Sequence, residues 1–201
     1  MVDRRVIFVG DSFVAGVGDP TGLGWVGHVV AAAFAAGLPL TSYNLGVRGE
    51  TSVAVAERWE AEAAPRLAAG ADSRLVLSFG ANDTAAEDGV PAGASVQALR
   101  AVVTRARERS LPVLVVSPPP VNGAEQGERI AVLNARLATE CGILSVPFVD
   151  VTGPLGASPG WRAEVEAGDG AHPGAAGYTQ LAALVREPLL CWLTQPAPVP
   201  G

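Results

Sequence analysis

The sequence contains no lysine, and all 14 of its basic residues are arginines spread along the chain without a cluster. The formal net charge of the 201 residues is −6 at pH 7. Without a basic stripe, a protein has little attraction for the phosphates of nucleic acid or for an anionic membrane surface. The charge pattern therefore argues against both kinds of partner.

Long apolar runs are also missing, although 49% of the residues are hydrophobic. No run approaches the ~20 residues of a membrane-spanning helix, so we expect no integral membrane association. The amino-terminal segment MVDRRVIFVG leads from two arginines straight into a strand pattern, without the apolar stretch and cleavage site of a signal peptide. We therefore expect a cytoplasmic protein.

Cysteine and histidine are scarce, with two of each. Cys141 and Cys191 lie in helical patterns and are too few for a disulfide framework, so we interpret both as buried free thiols. No cluster of histidine, cysteine and carboxylate residues has the spacing of metal ligands. The sequence predicts neither a metal nor an organic cofactor.

Short apolar segments alternate with longer segments of helical periodicity. The apolar segments lack polar alternation, which is typical of strands buried on both faces of a parallel sheet. The predicted strands are Arg5–Val9, Thr41–Leu45, Arg74–Phe79, Val113–Ser117 and Val146–Val151. Five strands with intervening helices indicate a doubly wound α/β sheet. We assign residues 1–193 to a single domain and expect residues 194–201 to form an unstructured tail.

Apolar residues recur at one-turn spacing between the strands, which predicts a helix in each of four segments. These segments extend from Trp25 to Phe34, from Val96 to Ala106, from Ile130 to Leu137 and from Tyr178 to Trp192. The stretch Thr51–Ala69 is also predicted to be helical, and Pro65 must kink or restart that helix.

Polar residues follow four of the strands, at the sheet edge where parallel α/β proteins bind ligands. These segments are GDS after the first strand, NLGVRGETS after the second, GANDT after the third, and a long loop ending in DGAHPGAAGY after the fifth. Serine, glycine, asparagine, aspartate and histidine therefore converge on one edge. This edge is the predicted functional site.

The first segment, FVGDSFVAGVGD, is compatible with a phosphate-binding loop, a helix cap or a nucleophilic serine. A Walker-type loop requires a lysine, and Gly10, Gly16 and Gly18 lack the GxGxxG spacing of a dinucleotide site. Val14 replaces the second glycine of a GxSxG nucleophile elbow. The residues alone leave two interpretations of Ser12, as a helix cap or as a nucleophile outside those motifs.

A nucleophilic serine needs a base, and the chain offers two histidines. We expect His28 to face solvent, because it lies off the apolar stripe of its predicted helix. His172 follows Asp169 by three residues, and one turn of that spacing can bring the carboxylate to one ring nitrogen. The alternative is that Asp169 caps the final helix, which Pro173 would open, and that His172 is incidental.

Together and in this order, the four segments resemble the sequence blocks of the SGNH hydrolases, also called the GDSL esterase/lipase family. The resemblance extends from Gly10 to Tyr178, and one departure is Phe13 where the family has leucine. It implies a flavodoxin-like three-layer sandwich with a five-stranded parallel sheet in the order 2-1-3-4-5. The segment from Thr152 to Ala171 would then be a long loop that returns His172 to Ser12.

The resemblance also implies roles for individual residues. The family's catalytic triad maps onto Ser12, Asp169 and His172. Its oxyanion hole maps onto the backbone N–H groups of Ser12 and Gly46 and the side-chain amide of Asn82. We expect three further residues of these blocks to fix the loops, with the second a candidate for substrate contact: Asp11, Arg48 and Asp83.

The function implied by the resemblance is that of a serine ester hydrolase that forms an acyl-enzyme. We expect small carboxylic esters as substrates, because the rim segments offer few large apolar residues to a long acyl chain. Carbohydrate O-deacetylation and hydrolysis of lysophospholipids or thioesters remain alternatives, since variable loops select the substrate. A flavodoxin-like binding module without catalysis is the alternative from another class. The oligomeric state stays open.

Overall fold

Five parallel strands form a single sheet in the computed structural model, which describes residues 2–196. The strands are β1 (Arg4–Gly10), β2 (Thr41–Gly46), β3 (Asp72–Ser78), β4 (Val113–Val116) and β5 (Phe148–Val149). Their order is β2-β1-β3-β4-β5, and every neighbouring pair is parallel. This confirms the predicted α/β fold and the order 2-1-3-4-5.

Helices connect the strands and cover both faces of the sheet. They are α1 (Ser12–Ala15), α2 (Gly24–Ala35), α3 (Ser52–Ala63), α4 (Ala92–Glu108), α5 (Ala124–Ile143), α6 (Thr152–Ala157), α7 (Pro159–Ala167) and α8 (Ala175–Thr194). Two 3-10 turns, Ala64–Arg66 and Asn82–Thr84, follow α3 and β3. The predicted interruption at Pro65 is confirmed, because α3 ends at Ala63 and a 3-10 turn follows it, but the predicted helix to Ala69 is too long, since the turn ends at Arg66 and Leu67 is extended.

Alternate residues of β1 face two separate apolar cores, as expected for a strand buried on both faces. Val6 and Phe8 pack with α2, α6, α7 and α8, whereas Ile7 and Val9 pack with α3, α4 and α5. These two layers and the sheet make the three-layer sandwich that the resemblance implied. β1 lies between β2 and β3. The residues that follow β1 are therefore flanked at the carboxyl edge of the sheet by the segments that follow β2 and β3.

The segment between β5 and His172 differs from the predicted loop, because it contains the helices α6 and α7. Ser158 Oγ accepts the N–H of Trp161 at 3.3 Å, and Pro159 occupies the first turn of α7, where a missing N–H costs nothing. Leu155, Trp161 and Val165 are buried in the core. The connection that returns the chain to β1 is therefore packed against the domain.

The last strand is shorter than predicted, two residues instead of the range from Val146 to Val151. The Val151 N–H donates to Ser117 Oγ at 2.8 Å instead of to a backbone carbonyl of β4. Pro147 has no N–H to offer at the other end. A side chain and a proline thus limit the ladder at both ends.

The final helix also departs from prediction at both ends. It begins at Ala175 behind Gly174, so Pro173 precedes it and does not open it. It ends at Thr194, inside the predicted tail, and the Gln195 carbonyl then accepts a hydrogen bond from the Arg74 guanidinium at 2.6 Å. The rest of the predicted tail, residues 197–201, lies outside the described residues.

The two cysteines have different environments. Cys141 is buried, as predicted, but Cys191 is exposed. The prediction for Cys191 was wrong because its neighbours Leu189 and Trp192 form the buried stripe of α8 and leave Cys191 on the outer side. None of the helices within residues 2–196 has the length and apolar character needed to cross a membrane.

Candidate active site

The segments that carry Ser12, Asp169 and His172 meet at the carboxyl edge of the sheet. His172 Nε2 lies 2.7 Å from Ser12 Oγ, and His172 Nδ1 lies 2.8 Å from Asp169 Oδ2. The imidazole thus bridges the hydroxyl and the carboxylate through its two nitrogens. In such an arrangement the carboxylate orients the ring, and the other nitrogen can accept the hydroxyl proton.

Ser12 is the first residue of α1 and follows β1 by two positions. The side chain that caps α1 belongs to Asp11, whose Oδ1 accepts the N–H of Phe13 at 2.9 Å. Ser12 is 4% exposed, and its Oγ contacts His172 instead of a backbone N–H. The interpretation of Ser12 as a helix cap is therefore wrong.

Asp169 forms the turn that presents His172. Its Oδ1 accepts the N–H groups of Ala171 at 3.0 Å and His172 at 2.8 Å, which leaves Oδ2 for the imidazole. Desolvation by itself would raise the pKa of Asp169, but the hydrogen bonds from the His172 N–H, the His172 ring and the Ala171 N–H lower this pKa below its ordinary value. The carboxylate is charged at neutral pH. The alternative that Asp169 caps the final helix is wrong, because α8 has no side-chain cap.

Phe13 supports the imidazole from the side. The Phe13 ring centroid lies 4.9 Å from the His172 ring and 6.5 Å from the stacked Trp161 ring. Trp161 Nε1 in turn donates to the Pro120 carbonyl at 2.9 Å. Sequence reasoning missed this support, since only tertiary structure brings α7 to Phe13. The signal available was an aromatic residue at a position where the family has leucine.

His28 lies on α2, away from the residues that surround Ser12. It is half-buried, and its Nε2 is buried without a hydrogen-bond partner among residues 2–196. The expectation that it faces solvent was therefore wrong: α2 packs against α8 in the layer that covers one face of the sheet, and the His28 side chain is only partly exposed there. The structure brings only His172 to Ser12.

Ser12 and His172 line a cavity of about 430 Å³. Three side-chain amides line it, those of Asn82, Asn122 and Gln126, while Phe13 and Val121 supply apolar surface. No arginine lines the cavity in the described part of the chain. The lining therefore offers several amide donors and acceptors and little apolar surface to a small ligand.

Asn82 begins the 3-10 turn after β3 and borders this cavity. Its Nδ2 donates to the Glu50 carbonyl at 2.9 Å, which leaves the second N–H of the amide without a partner among residues 2–196. The backbone N–H of Ser12 likewise donates to no group within residues 2–196. Both groups can therefore donate to an oxygen of a bound ligand.

Gly46 is packed beneath α1, and the structure does not bring its amide to the cavity. Its N–H donates to Asn44 Oδ1 at 3.0 Å, and Asn44 Nδ2 donates to the Val14 carbonyl at 2.7 Å. A Cβ at Gly46 would lie 2.2 Å from the backbone nitrogen of Ala15. Glycine at this position allows β2 and α1 to approach closely.

Asp11 and Asp83 hold backbone groups of the loops beneath the site. Asp83 Oδ1 accepts the N–H of Ser52 at 2.7 Å, which ties the turn after β3 to the start of α3. Burial raises the pKa of Asp11 to about 7, and the nearby charges of Asp83 and Glu50 add to this shift. These contacts agree with the expected loop-fixing roles of both aspartates.

Arg58, on α3, is a further loop-fixing residue that sequence reasoning missed. Its guanidinium donates to the carbonyls of Gly10 at 3.1 Å and Leu45 at 2.9 Å, and to Glu50 Oε2 at 2.6 Å. It thereby joins the ends of β1 and β2 to the following loop.

Arg48 is exposed and does not line the cavity. Among the described residues, no group of three or more His, Cys, Asp or Glu side chains could hold a metal ion.

Comparison with known proteins identifies the class to which this fold and site belong. The model of the GDSL-like Lipase/Acylhydrolase family matches residues 8–180, so the chain belongs to that family. It is a carboxylic ester hydrolase, which rules out the non-catalytic binding module. No curated protein matches the chain.

Solved structures share the fold at low sequence identity. The lipase/acylhydrolase from Enterococcus faecalis is 23% identical with a TM-score of 0.77, covering 94% of this chain and 96% of its own. The acetylxylan esterase Axe2 from Geobacillus stearothermophilus is 19% identical with a TM-score of 0.76, covering 97% and 96%. LAE5, an α/β hydrolase from the metagenome of Lake Arreo in Spain, is 19% identical with a TM-score of 0.74, covering 96% of each chain.

Proposed function

We propose that this protein hydrolyses small carboxylic esters through an acyl-enzyme on Ser12, with His172 as the base and Asp169 as its orienting acid. The observation that carries the proposal is the continuous contact of Asp169 Oδ2, the two His172 nitrogens and Ser12 Oγ, at 2.8 and 2.7 Å. His172 accepts the proton of Ser12 while the hydroxyl oxygen attacks the ester carbonyl.

The same groups complete the reaction. The tetrahedral intermediate collapses, His172 gives its proton to the leaving alcohol, and an acyl-Ser12 ester remains. Water then attacks this ester with His172 again as the base, which releases the carboxylic acid and restores Ser12. Charged Asp169 favours the protonated imidazole that forms in each half of the reaction. A small-molecule ester is the only partner that this chemistry requires.

Negative charge develops on the carbonyl oxygen and needs hydrogen-bond donors that are already in place. The Ser12 N–H and the Asn82 side-chain amide supply two of them. We assign the third to Gly49 in place of Gly46, whose N–H is committed to Asn44. Gly49 precedes Glu50, whose carbonyl holds Asn82, and the Gly49 N–H donates to no group within residues 2–196.

Replacing Asn82 with alanine should lower kcat by about 10²–10³-fold and change KM little, because the amide acts mainly on the transition state. Steady-state kinetics on p-nitrophenyl acetate measure both constants. Asn134→Ala is the matched control, since Asn134 is a half-buried asparagine that donates to the exposed Asp150 and does not line the cavity. An effect on KM alone would reassign Asn82 to binding of the ground state.

Short esters should be cleaved faster than long ones. The cavity of about 430 Å³ must hold both the acyl and the alcohol group of the ester, and few apolar side chains line it. Burial of each CH₂ group in an apolar environment contributes ~0.8 kcal/mol, and this cavity offers a long acyl chain little such surface. We expect kcat/KM to be higher for acetyl to butyryl p-nitrophenyl esters than for esters of about twelve or more carbons, measured below micelle-forming concentrations. A profile that rises with chain length would contradict the proposal and would favour a lysophospholipase or long-chain thioesterase.

Carbohydrate deacetylation is the second candidate, and the amide lining of the cavity favours it. Gln126 Nε2 donates to the Ala81 carbonyl at 3.1 Å, which leaves its Oε1 as an acceptor, and Asn122 keeps its Nδ2 as a donor. One donor and one acceptor suit the hydroxyl groups of a neutral sugar. Acetate release from a neutral acetylated sugar, compared with p-nitrophenyl acetate, tests this candidate directly.

A further inference from the structure

The segment Gly16–Gly18, here called the strap, lies between Ser12 and the chain around His172. The Val17 N–H donates to the Ser12 carbonyl at 3.1 Å, and the Val17 carbonyl accepts the hydroxyl of Tyr178 at 2.6 Å. Tyr178 belongs to α8, the helix that follows His172. One residue of the strap therefore joins the serine segment to the helix that directly follows the histidine segment.

Gly18 makes the second contact of the strap. Its φ is +91°, and a Cβ at this position would lie 2.7 Å from the Pro173 carbonyl oxygen and 3.0 Å from His172 Cβ. Both distances are shorter than van der Waals contact allows, and the atoms belong to His172 and to the backbone of the next residue. Any other residue at position 18 would push the histidine segment away from the strap.

Tyr178 is completely buried, with its ring in the core that contains α2 and α8. Burial, together with the charges of Asp11, Asp19 and Asp169, raises the pKa of its phenol far above the ordinary value. The hydroxyl therefore remains a donor over the working pH range, and it has a fixed acceptor in Val17.

We propose that the strap sets the distance between Ser12 Oγ and His172 Nε2, and that Gly18 and Tyr178 are positioning residues for the proton transfer. The inference rests on the proposed function of Ser12 and His172. A hydroxyl and an imidazole at 2.7 Å are poised for transfer, and a displacement of about 1 Å at such a contact can cost on the order of 10²-fold in rate. Neither residue touches the substrate in this account.

The test compares Gly18→Ala with Gly37→Ala. Gly37 also has a positive φ, of +73°, but nothing lies within 4 Å of a Cβ there, so the two variants share the backbone strain and differ in the clash. We expect Gly18→Ala to lower kcat by about 10- to 100-fold with KM nearly unchanged. The rate constant for modification of Ser12 by a fluorophosphonate should fall by a similar factor, whereas Gly37→Ala should match the parent in both.

Tyr178→Phe keeps the buried ring and removes only the hydroxyl, so it provides the test if Gly18→Ala does not fold. It should slow modification of Ser12 several-fold at unchanged KM, while Tyr43→Phe, which alters a half-buried tyrosine of β2, should not. Unchanged labelling rates in Gly18→Ala and Tyr178→Phe, or losses confined to KM, would overturn the inference. A parent protein that is not labelled at Ser12 would instead overturn the proposed function.

Discussion

Ser12→Ala should lose esterase activity by about 10⁴-fold or more in kcat while the protein folds normally. In the proposed mechanism the Ser12 hydroxyl forms the acyl-enzyme, so its removal leaves the oxyanion donors and substrate binding. Folding should be unaffected, because Asp11 and not Ser12 caps α1, and because Ser12 Oγ forms its hydrogen bond only with His172 among the described residues.

The matched control is Ser95→Ala. Ser95 is a fully buried serine of α4 whose Oγ has no hydrogen-bond partner within residues 2–196. Ser95→Ala therefore removes a buried serine hydroxyl outside the candidate active site. Kinetics on p-nitrophenyl acetate and thermal unfolding of both variants give the comparison. If Ser12→Ala kept half of the parental rate, Ser12 could not be the nucleophile.

His172→Ala should be nearly as inactive as Ser12→Ala, and His28→Ala should retain nearly full activity. Residues of a triad act as a unit, so loss of the base costs about as much as loss of the nucleophile. The chain has only these two histidines, which makes the pair a complete test of the base. His28 lies on α2 and does not border the cavity.

The measurement is kcat/KM of the two variants and the parent on one soluble ester, with thermal unfolding to show that each variant is folded. His28→Ala serves as the control for removing a half-buried imidazole. The reverse pattern, an active His172→Ala and an inactive His28→Ala, would show that the base had been assigned to the wrong histidine.

Residues whose roles depend on local sequence could be predicted well. The apolar runs of β1, β3 and β4 identify strands buried on both faces, and the spacing of Asp169 and His172 encodes a turn that needs no distant contact. Phosphate-binding loops could be excluded from the absence of lysine and the spacing of the glycines. The edge at which the site forms then follows from parallel strand direction.

Residues whose roles depend on packing between distant segments could not be predicted. Gly46 looks like a turn glycine in the sequence, but its N–H is taken by Asn44 and its missing side chain makes room for Ala15. In the sequence, Arg58 is one polar residue of a helical segment. The structure shows that its guanidinium donates to carbonyls at the ends of β1 and β2. No sequence pattern specifies either contact.

The segment after β5 shows a third limit. Glycines and prolines in GPLGASPGW suggest a loop, yet Pro159 stands in the first turn of α7, where it favours a helix, and Ser158 caps it. The buried Trp161 then stacks on Phe13 beside the candidate active site. Turn-forming residues and helix-starting residues overlap in type, and only their position in the fold separates the two uses.

The most direct test of the central claim is to label the folded protein with a fluorophosphonate and to map the modified residue by peptide mass spectrometry. Such a probe reacts with an activated serine and mimics the tetrahedral intermediate. Our account predicts one adduct per chain, on Ser12, that forms at a much lower rate in His172→Ala and at the parental rate in His28→Ala. No adduct on the folded protein, or an adduct on a different serine, would contradict it.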